Sequence, residues 1–173
     1  YLTNTIISTI KNDYTWQRSS RKGRDQGIYL PGIDNDDQVN VHIAIDTSGS
    51  ISDEDIRTFL SEVRGIMEQF SEFKITVWCF DTQTYELHEF TPDTQYDIDD
   101  FEIVGHGGTD FVCNWEMMKE NDILPNTFIM FTDGYPFGSW GDPDYCDTVF
   151  LIKGGQDRNS PFGTTVHYEK VSA

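Results

Sequence analysis

A buried-strand pattern at residues 41–45 (VHIAI) stops at Asp46-Thr47-Ser48-Gly49-Ser50, and an amphipathic helix follows at once. Strand, tight turn and helix in that order leave few folds open. Ser52 with Asp55 forms an S-x-x-D helix start, a capping-box-like signal. Ile56, Phe59, Leu60, Val63, Ile66, Met67 and Phe70 then recur at intervals of three and four, the spacing of one apolar helix face. A second strand pattern, FKITVWCF, fills 73–80. A strand, a helix and another buried strand within this span predict a βαβ unit and a parallel sheet.

The rest of the chain continues the alternation. Residues 85–90 (YELHEF) follow closely enough to form an antiparallel hairpin partner for the second strand. Residues 91–102 read as a loop rich in Asp and Thr. Gly105-His106-Gly107-Gly108 is a flexible turn into a second helix carrying Phe111, Trp115 and Met118 on one face. Residues 126–131, 148–152 and 164–168 read as strands, with a loop over 134–145. Leu2, Ile6, Ile7 and Ile10 predict a short helix within residues 1–13. The fold class expected is α/β: a Rossmann-like open twisted sheet, mostly parallel, flanked by helices, with an antiparallel edge hairpin. Residues 1–38 are expected to be an N-terminal helix and extended linker packed on a domain spanning 39–173.

Composition narrows the function. A chain of 173 residues with 37% hydrophobic content is about one domain. The net charge of −18 is uneven. Lys11, Arg18, Arg21, Lys22 and Arg24 against Asp13 and Asp25 make residues 1–30 net +3, leaving −21 to the remainder. Such a surface repels nucleic acid and anionic membrane, and attracts cations and basic partners. No apolar run approaches membrane-spanning length. Three widely spaced cysteines, Cys79, Cys113 and Cys146, with no CxxC, read as reduced thiols of a cytoplasmic protein. The chain starts at Tyr1 without a signal-peptide pattern or an initiator Met, as expected of a piece of a longer protein.

Three segments carry chemistry. Asp46, Ser48 and Ser50 follow the first strand, Thr109 follows Gly107-Gly108, and Asp133 follows the apolar run 128–131. They offer two carboxylates and three hydroxyls, without Cys or His. Hard oxygen donors suit Mg²⁺, Mn²⁺ or Ca²⁺ and not a zinc site. In an open α/β sheet, ligands sit beyond the carboxyl ends of the strands at the switch point. If the strands ending at Asp46 and Asp133 are neighbours, their carboxylates converge there. The purely structural alternative has Asp46 and Ser52 capping the first helix, Thr109 capping the second, and Asp133-Gly134 making a turn.

This arrangement resembles the metal-ion-dependent adhesion site of von Willebrand factor A (VWA) domains: D-x-S-x-S, a Thr after glycines, and an Asp after a strand. The resemblance implies direct ligation by Ser48, Ser50 and Thr109, with Asp46 and Asp133 acting largely through waters. The metal, Mg²⁺ or else Mn²⁺ or Ca²⁺, then accepts a carboxylate presented by a partner protein. Trp16-Gln17-Arg18, Tyr29-Leu30-Pro31-Gly32, D-T-S-G-S-I-S, G-G-T-D-F, T-D-G-Y, Gly154-Gly155 and Pro161-Phe162-Gly163 narrow the resemblance to a bacterial and phage VWA-like family. There the module forms the C-terminal part of proteins assigned as metallopeptidases, and a MoxR-type AAA+ ATPase is an implied partner. The peptidase signature H-E-x-x-H is absent here, since His88-Glu89 is followed by Phe90-Thr91-Pro92. The expectation is therefore a binding module and not an enzyme.

Other readings fit less well. A phosphatase of the haloacid-dehalogenase type needs D-x-D, and Ser48 stands at the second Asp. The histidines His42, His88, His106 and His167 lie in separate segments without a nucleophile elbow. Gly105–Gly108 leads into no G-K-[ST]. A metal-dependent phosphoester hydrolase is the alternative function, and a structural module with a loop-stabilising metal is the third. Asp110, Tyr135, Phe137 and Trp140 flank the metal segments. They are the candidate partner-binding residues, the aromatics serving either as a rim or as a cover for the sheet end.

Overall fold

The computed structural model describes residues 4, 6–8, 39–154 and 157–168. Six strands form one sheet: β1 (Val39–Asp46), β2 (Phe73–Phe80), β3 (His88–Phe90), β4 (Thr127–Thr132), β5 (Thr148–Lys153) and β6 (Thr164–Tyr168). Their order across the sheet is β3-β2-β1-β4-β5-β6. Only β3 is antiparallel to its neighbour; the other four pairings are parallel. Two helices flank the sheet, α1 (Asp53–Met67) and α2 (Val112–Glu120).

The period-two alternation of the strands sorts two cores. Val41, Ile43 and Ile45 of β1, Ile75 and Val77 of β2, and Ile129 and Phe131 of β4 face α1. There Ile56, Phe59, Leu60 and Val63 cover them, and Phe59 stacks on Phe131 at 4.3 Å. Ile6 and Ile7 join this core. Ala44, Trp78, Phe80, Met130 and Phe150 point to the opposite face, where Phe111, Trp115 and Met118 close over them. Helices on both faces explain why the central strands read as near-continuous apolar runs.

The helix start is as the sequence predicts. Ser52 accepts the Asp55 N–H at 3.2 Å, and its hydroxyl donates to the Asp55 carboxylate at 2.5 Å. Lys153, at the end of β5, reaches the same carboxylate at 2.5 Å and ties α1 to the sheet.

Three expectations need correction. The strand expected over 85–90 shrinks to His88–Phe90. Thr84 makes an isolated bridge to Phe80, and the Tyr85 phenol turns toward Asp81, which takes that segment out of the ladder. The stretch expected as loop over 91–102 contains a 3-10 helix, Gln95–Asp100, because Ile98 and Phe101 bury against the α1 side. Phe111 lies just ahead of α2. Near the N-terminus, residues 4 and 6–8 are helical. The remainder of the predicted helix and the linker through residue 38 lie outside the described residues. Among the described residues, no helix is long and apolar enough to cross a membrane. All three cysteines are free, and burial pushes the Cys113 thiol up to about 12 and the Cys146 thiol to about 11.

Asn114 is fully buried beneath the second face; its amide donates to the Phe111 carbonyl at 3.1 Å and accepts the Trp78 indole N–H at 2.8 Å. Asn114→Leu keeps the volume but orphans that indole. The expected loss is about 1–3 kcal/mol, read as a lower urea midpoint with an unchanged m-value.

Candidate metal centre

The chain runs β1, β2, β3 to one side of the sheet and β4, β5, β6 to the other, so β1 and β4 meet at the switch point. Asp46 ends β1 and Asp133 follows β4, and the neighbouring strands bring both to one edge. Asp46 is fully buried. One of its carboxylate oxygens accepts the Ser48 N–H at 2.9 Å; the other accepts the Thr132 hydroxyl at 2.6 Å. The Ser48 and Ser50 hydroxyls lie 3.2 Å apart, and Ser50 donates to the Asp133 carboxylate. Asp133 also accepts the Tyr135 N–H at 3.3 Å. Thr132, Asp46, Ser48, Ser50 and Asp133 thus form one continuous chain of oxygen groups. Burial pushes the Asp46 carboxyl above the ordinary Asp range; the Thr132 and Ser48 hydrogen bonds oppose that shift, and the nearby Asp133 charge adds to it.

Thr109 arrives from the glycine loop and is buried. That loop touches the D-x-S-x-S turn through the Gly49 N–H, which donates to the Gly107 carbonyl at 3.4 Å. Thr109 accepts the Phe137 N–H at 2.9 Å, which joins it to the loop after Asp133. The loop needs its glycines: a Cβ on Gly105, at φ +116°, would fall 2.2 Å from the Thr47 hydroxyl. On Gly107 a Cβ would fall 2.8 Å from the Asp81 carboxylate.

Asp81 was not among the expected site residues. It accepts the N–H groups of Thr82 at 2.5 Å, Gln83 at 3.2 Å and Gly107 at 3.0 Å, and the Tyr85 hydroxyl at 3.0 Å. Its carbonyl takes the Asp110 N–H at 2.8 Å. Burial works against its ionisation, but the bonds from Gln83, Tyr85, Gly107 and Thr82 outweigh burial and hold its carboxyl below the ordinary range. Asp81 therefore pins the loop that carries Thr109. The signal was present in the sequence: like Asp46 and Asp133, Asp81 directly follows an apolar strand.

The four residues expected beside the site separate into different roles. Asp110 accepts the Val112 N–H at 2.9 Å and so turns inward on the backbone just ahead of α2. Trp140 turns inward onto Phe111 and Phe150, with ring centroids 5.4 and 5.3 Å away. Tyr135 and Phe137 stand out at the rim, 59% and 74% exposed. A residue that sequence reasoning passed over joins them. The Arg158 guanidinium lies 3.4 Å over the Tyr135 ring and donates to the Asp133 carbonyl at 2.5 Å. His106, at φ +87°, is exposed, with its ring 3.8 Å from Asp53.

The sequence profile of a family described as "VWA-like domain (DUF2201)" matches residues 41–169, most of the chain. The chain belongs to this VWA-like family. No curated protein matched the sequence of this VWA-like domain. Among solved structures, the ArnB paralog VWA2 from Sulfolobus acidocaldarius has a similar fold. It shares 18% identity at a TM-score of 0.50, over 66% of this chain and 34% of that one. This VWA-like domain thus spans about a third of that protein's length. Proximal thread matrix protein 1 from the mussel byssus gives 0.49 at 16% identity, over 66% of this chain and 36% of that one. BatB from Bacteroides thetaiotaomicron gives 0.47 at 12%, over 66% of each.

The donor set fits a hard divalent cation. Among the described residues, three or more His, Cys, Asp or Glu side chains nowhere gather as a metal group. The two carboxylates here depend on hydroxyls to complete an oxygen shell, a composition for Mg²⁺ and not for zinc. The residues that would hold the ion are Asp46, Ser48, Ser50, Thr109 and Asp133.

The buried Asp46 carboxyl gives a test in metal-free protein. Its folded pKa lies above the unfolded one, so the native state holds the proton more tightly. Its contribution to stability is then greatest in acid and declines as pH rises past the ordinary Asp range toward neutrality. Asp46→Asn removes that decline. In EDTA, the urea midpoint of D46N relative to wild type should rise between pH 4.5 and 7.5; a constant difference refutes the buried, destabilised carboxylate.

Proposed function

We propose that this domain is a divalent-cation-dependent protein-binding module that captures a carboxylate of a partner protein. The observation that carries the reading is the continuous chain Asp46–Ser48–Ser50–Asp133 at the β1/β4 switch point. Asp46, with both oxygens occupied by Ser48 and Thr132, holds the turn so that the two serine hydroxyls face one point. Asp133 orients Ser50 and lies beside Asp46, where like charges at close range favour a cation between them. Thr109, fixed through Asp81 and Phe137, supplies a third hydroxyl. When bound, Mg²⁺ supplies a Lewis-acidic position open to an outside carboxylate, because neutral hydroxyls leave much of its charge uncompensated. Tyr135 and Phe137 would give apolar contact beside that position.

The acidic character of the chain fits a partner whose interface is basic overall and presents one acidic side chain to the metal. By the family resemblance alone, a MoxR-type AAA+ ATPase is a candidate partner. The module would be the capture end of a larger protein, in the metallopeptidase arrangement that the sequence resemblance implies. Enzymatic use of the same ion is the alternative reading; the sequence offers no evident general base for it.

Calorimetry and melting curves with Mg²⁺ test the reading. Wild type should bind, with a melting temperature that rises as mass action requires, about 2.7 kcal/mol at a hundred times Kd. Ser48→Ala and Thr109→Ala should melt like the wild type in EDTA and lose the Mg²⁺-dependent rise. Equal Mg²⁺ binding by all three proteins sinks the site; a metal-free wild type already unfolded at room temperature would instead make the metal structural.

A further inference from the structure

Arg158 is held at the rim by two contacts. Its guanidinium plane lies 3.4 Å over the Tyr135 ring, and its Nη1 donates to the Asp133 carbonyl at 2.5 Å. Stacking and one fixed hydrogen bond lock a side chain that would otherwise have many rotamers. The remaining N–H groups of the fork are left to bind elsewhere. Among the described residues, Arg64, Lys74, Lys119 and Lys153 each pair with a carboxylate, whereas Arg57 and Arg158 form no such ion pair. Arg57 is exposed; Arg158 is half-buried, and a half-buried cation with no carboxylate partner among the described residues stands out on a chain of net charge −18.

We infer that Arg158, stacked on Tyr135, is a second anion anchor beside the metal position, so that the captured segment is an extended acidic peptide carrying two carboxylates. This rests on the metal-bridge reading above. The spacing follows from the chain itself. Arg158 touches the Asp133 carbonyl, and the carbonyl and carboxylate of one Asp are close, so the guanidinium lies within about 8 Å of the Asp133 carboxylate, one of the groups that would hold the ion. Side chains two apart on an extended strand leave the same face about 7 Å apart. The recognised pattern is therefore acid-x-acid, one carboxylate on the metal and the next in a charge-assisted fork with Arg158. Phe137, 74% exposed and packed across Gly108, borders the same opening. It supplies apolar contact to the intervening or flanking side chain.

The test is selection from a phage-displayed library of random dodecapeptides on the whole chain, in Mg²⁺ and in EDTA, with wild type, Arg158→Gln and Arg158→Lys. Wild type in Mg²⁺ should enrich acid-x-acid peptides. R158Q should enrich peptides with one required acid and bind the wild-type peptides about tenfold more weakly, with R158K between the two because it keeps charge but loses the planar fork. Calorimetry should show R158Q binding Mg²⁺ at least as tightly as wild type, because the substitution removes a cation beside the site. The same consensus from R158Q and wild type, or a weaker Mg²⁺ affinity in R158Q, overturns the Arg158 anchor and leaves the metal bridge standing. Enrichment that is absent, or indifferent to EDTA, overturns the metal bridge and this inference with it.

Discussion

The parallel pairing of β1 with β4 governs the upper edge of the sheet. Without it, Asp46 and Asp133 are two strand-end carboxylates with no reason to meet. With it, Thr132 on β4 donates to Asp46 on β1 at 2.6 Å, and Ser50 closes the circuit to Asp133. The pairing is itself set by packing. Ile43, Ile45, Ile129 and Phe131 belong to the core under α1, and Ala44, Phe128 and Met130 to the opposite one. A slip of one residue would exchange the two faces. The register that satisfies both cores is the register that brings the oxygen groups together.

A buried carboxylate at a sheet edge is costly unless its hydrogen bonds are complete. Asp46 is served by a backbone N–H and a hydroxyl, yet burial still lifts its pKa. Asp81, one strand over, accepts three N–H groups and a phenol, and its pKa falls. The contrast separates two tasks. Asp81 is satisfied by the protein and serves as a fixed pin for the glycine loop. Asp46 is left wanting positive charge, in a place where Asp133 adds more negative.

The alternating apolar patterns made the parallel sheet and α1 readable, because strands covered on both faces and a capped amphipathic helix leave strong periodic marks. The order of D-x-S-x-S, Thr109 and Asp133 made the candidate site readable: Asp46 and Asp133 follow apolar strand patterns, and Thr109 follows a glycine pair. What escaped was set by tertiary contact. The 3-10 turn at Gln95–Asp100 carries two buried residues, Ile98 and Phe101 just after it, in an otherwise polar stretch. For Trp140 the sequence leaves rim and cover for the sheet end equally open, and only the contacts with Phe111 and Phe150 decide for the cover. Arg158 has no local pattern at all; its place depends on Tyr135 arriving from another loop.

The rim adds a constraint that the oxygen chain alone does not. Hydroxyls and waters around a cation accept any accessible carboxylate, so they give binding without much discrimination. Selectivity has to come from what stands beside them, by contacts made only with the right partner and by repulsion of the wrong ones. Here the general surface is acidic, which turns away acidic segments that offer nothing more than charge. Tyr135 and Phe137 project apolar area from the loop that follows Asp133, and Arg158 is locked onto that same loop. The loop is in turn bonded to Thr109 through the Phe137 N–H. On the proposed metal-bridge reading, a ligand that orders the rim bears on Thr109 through a single hydrogen bond, so partner and metal should each raise the affinity for the other by the same factor.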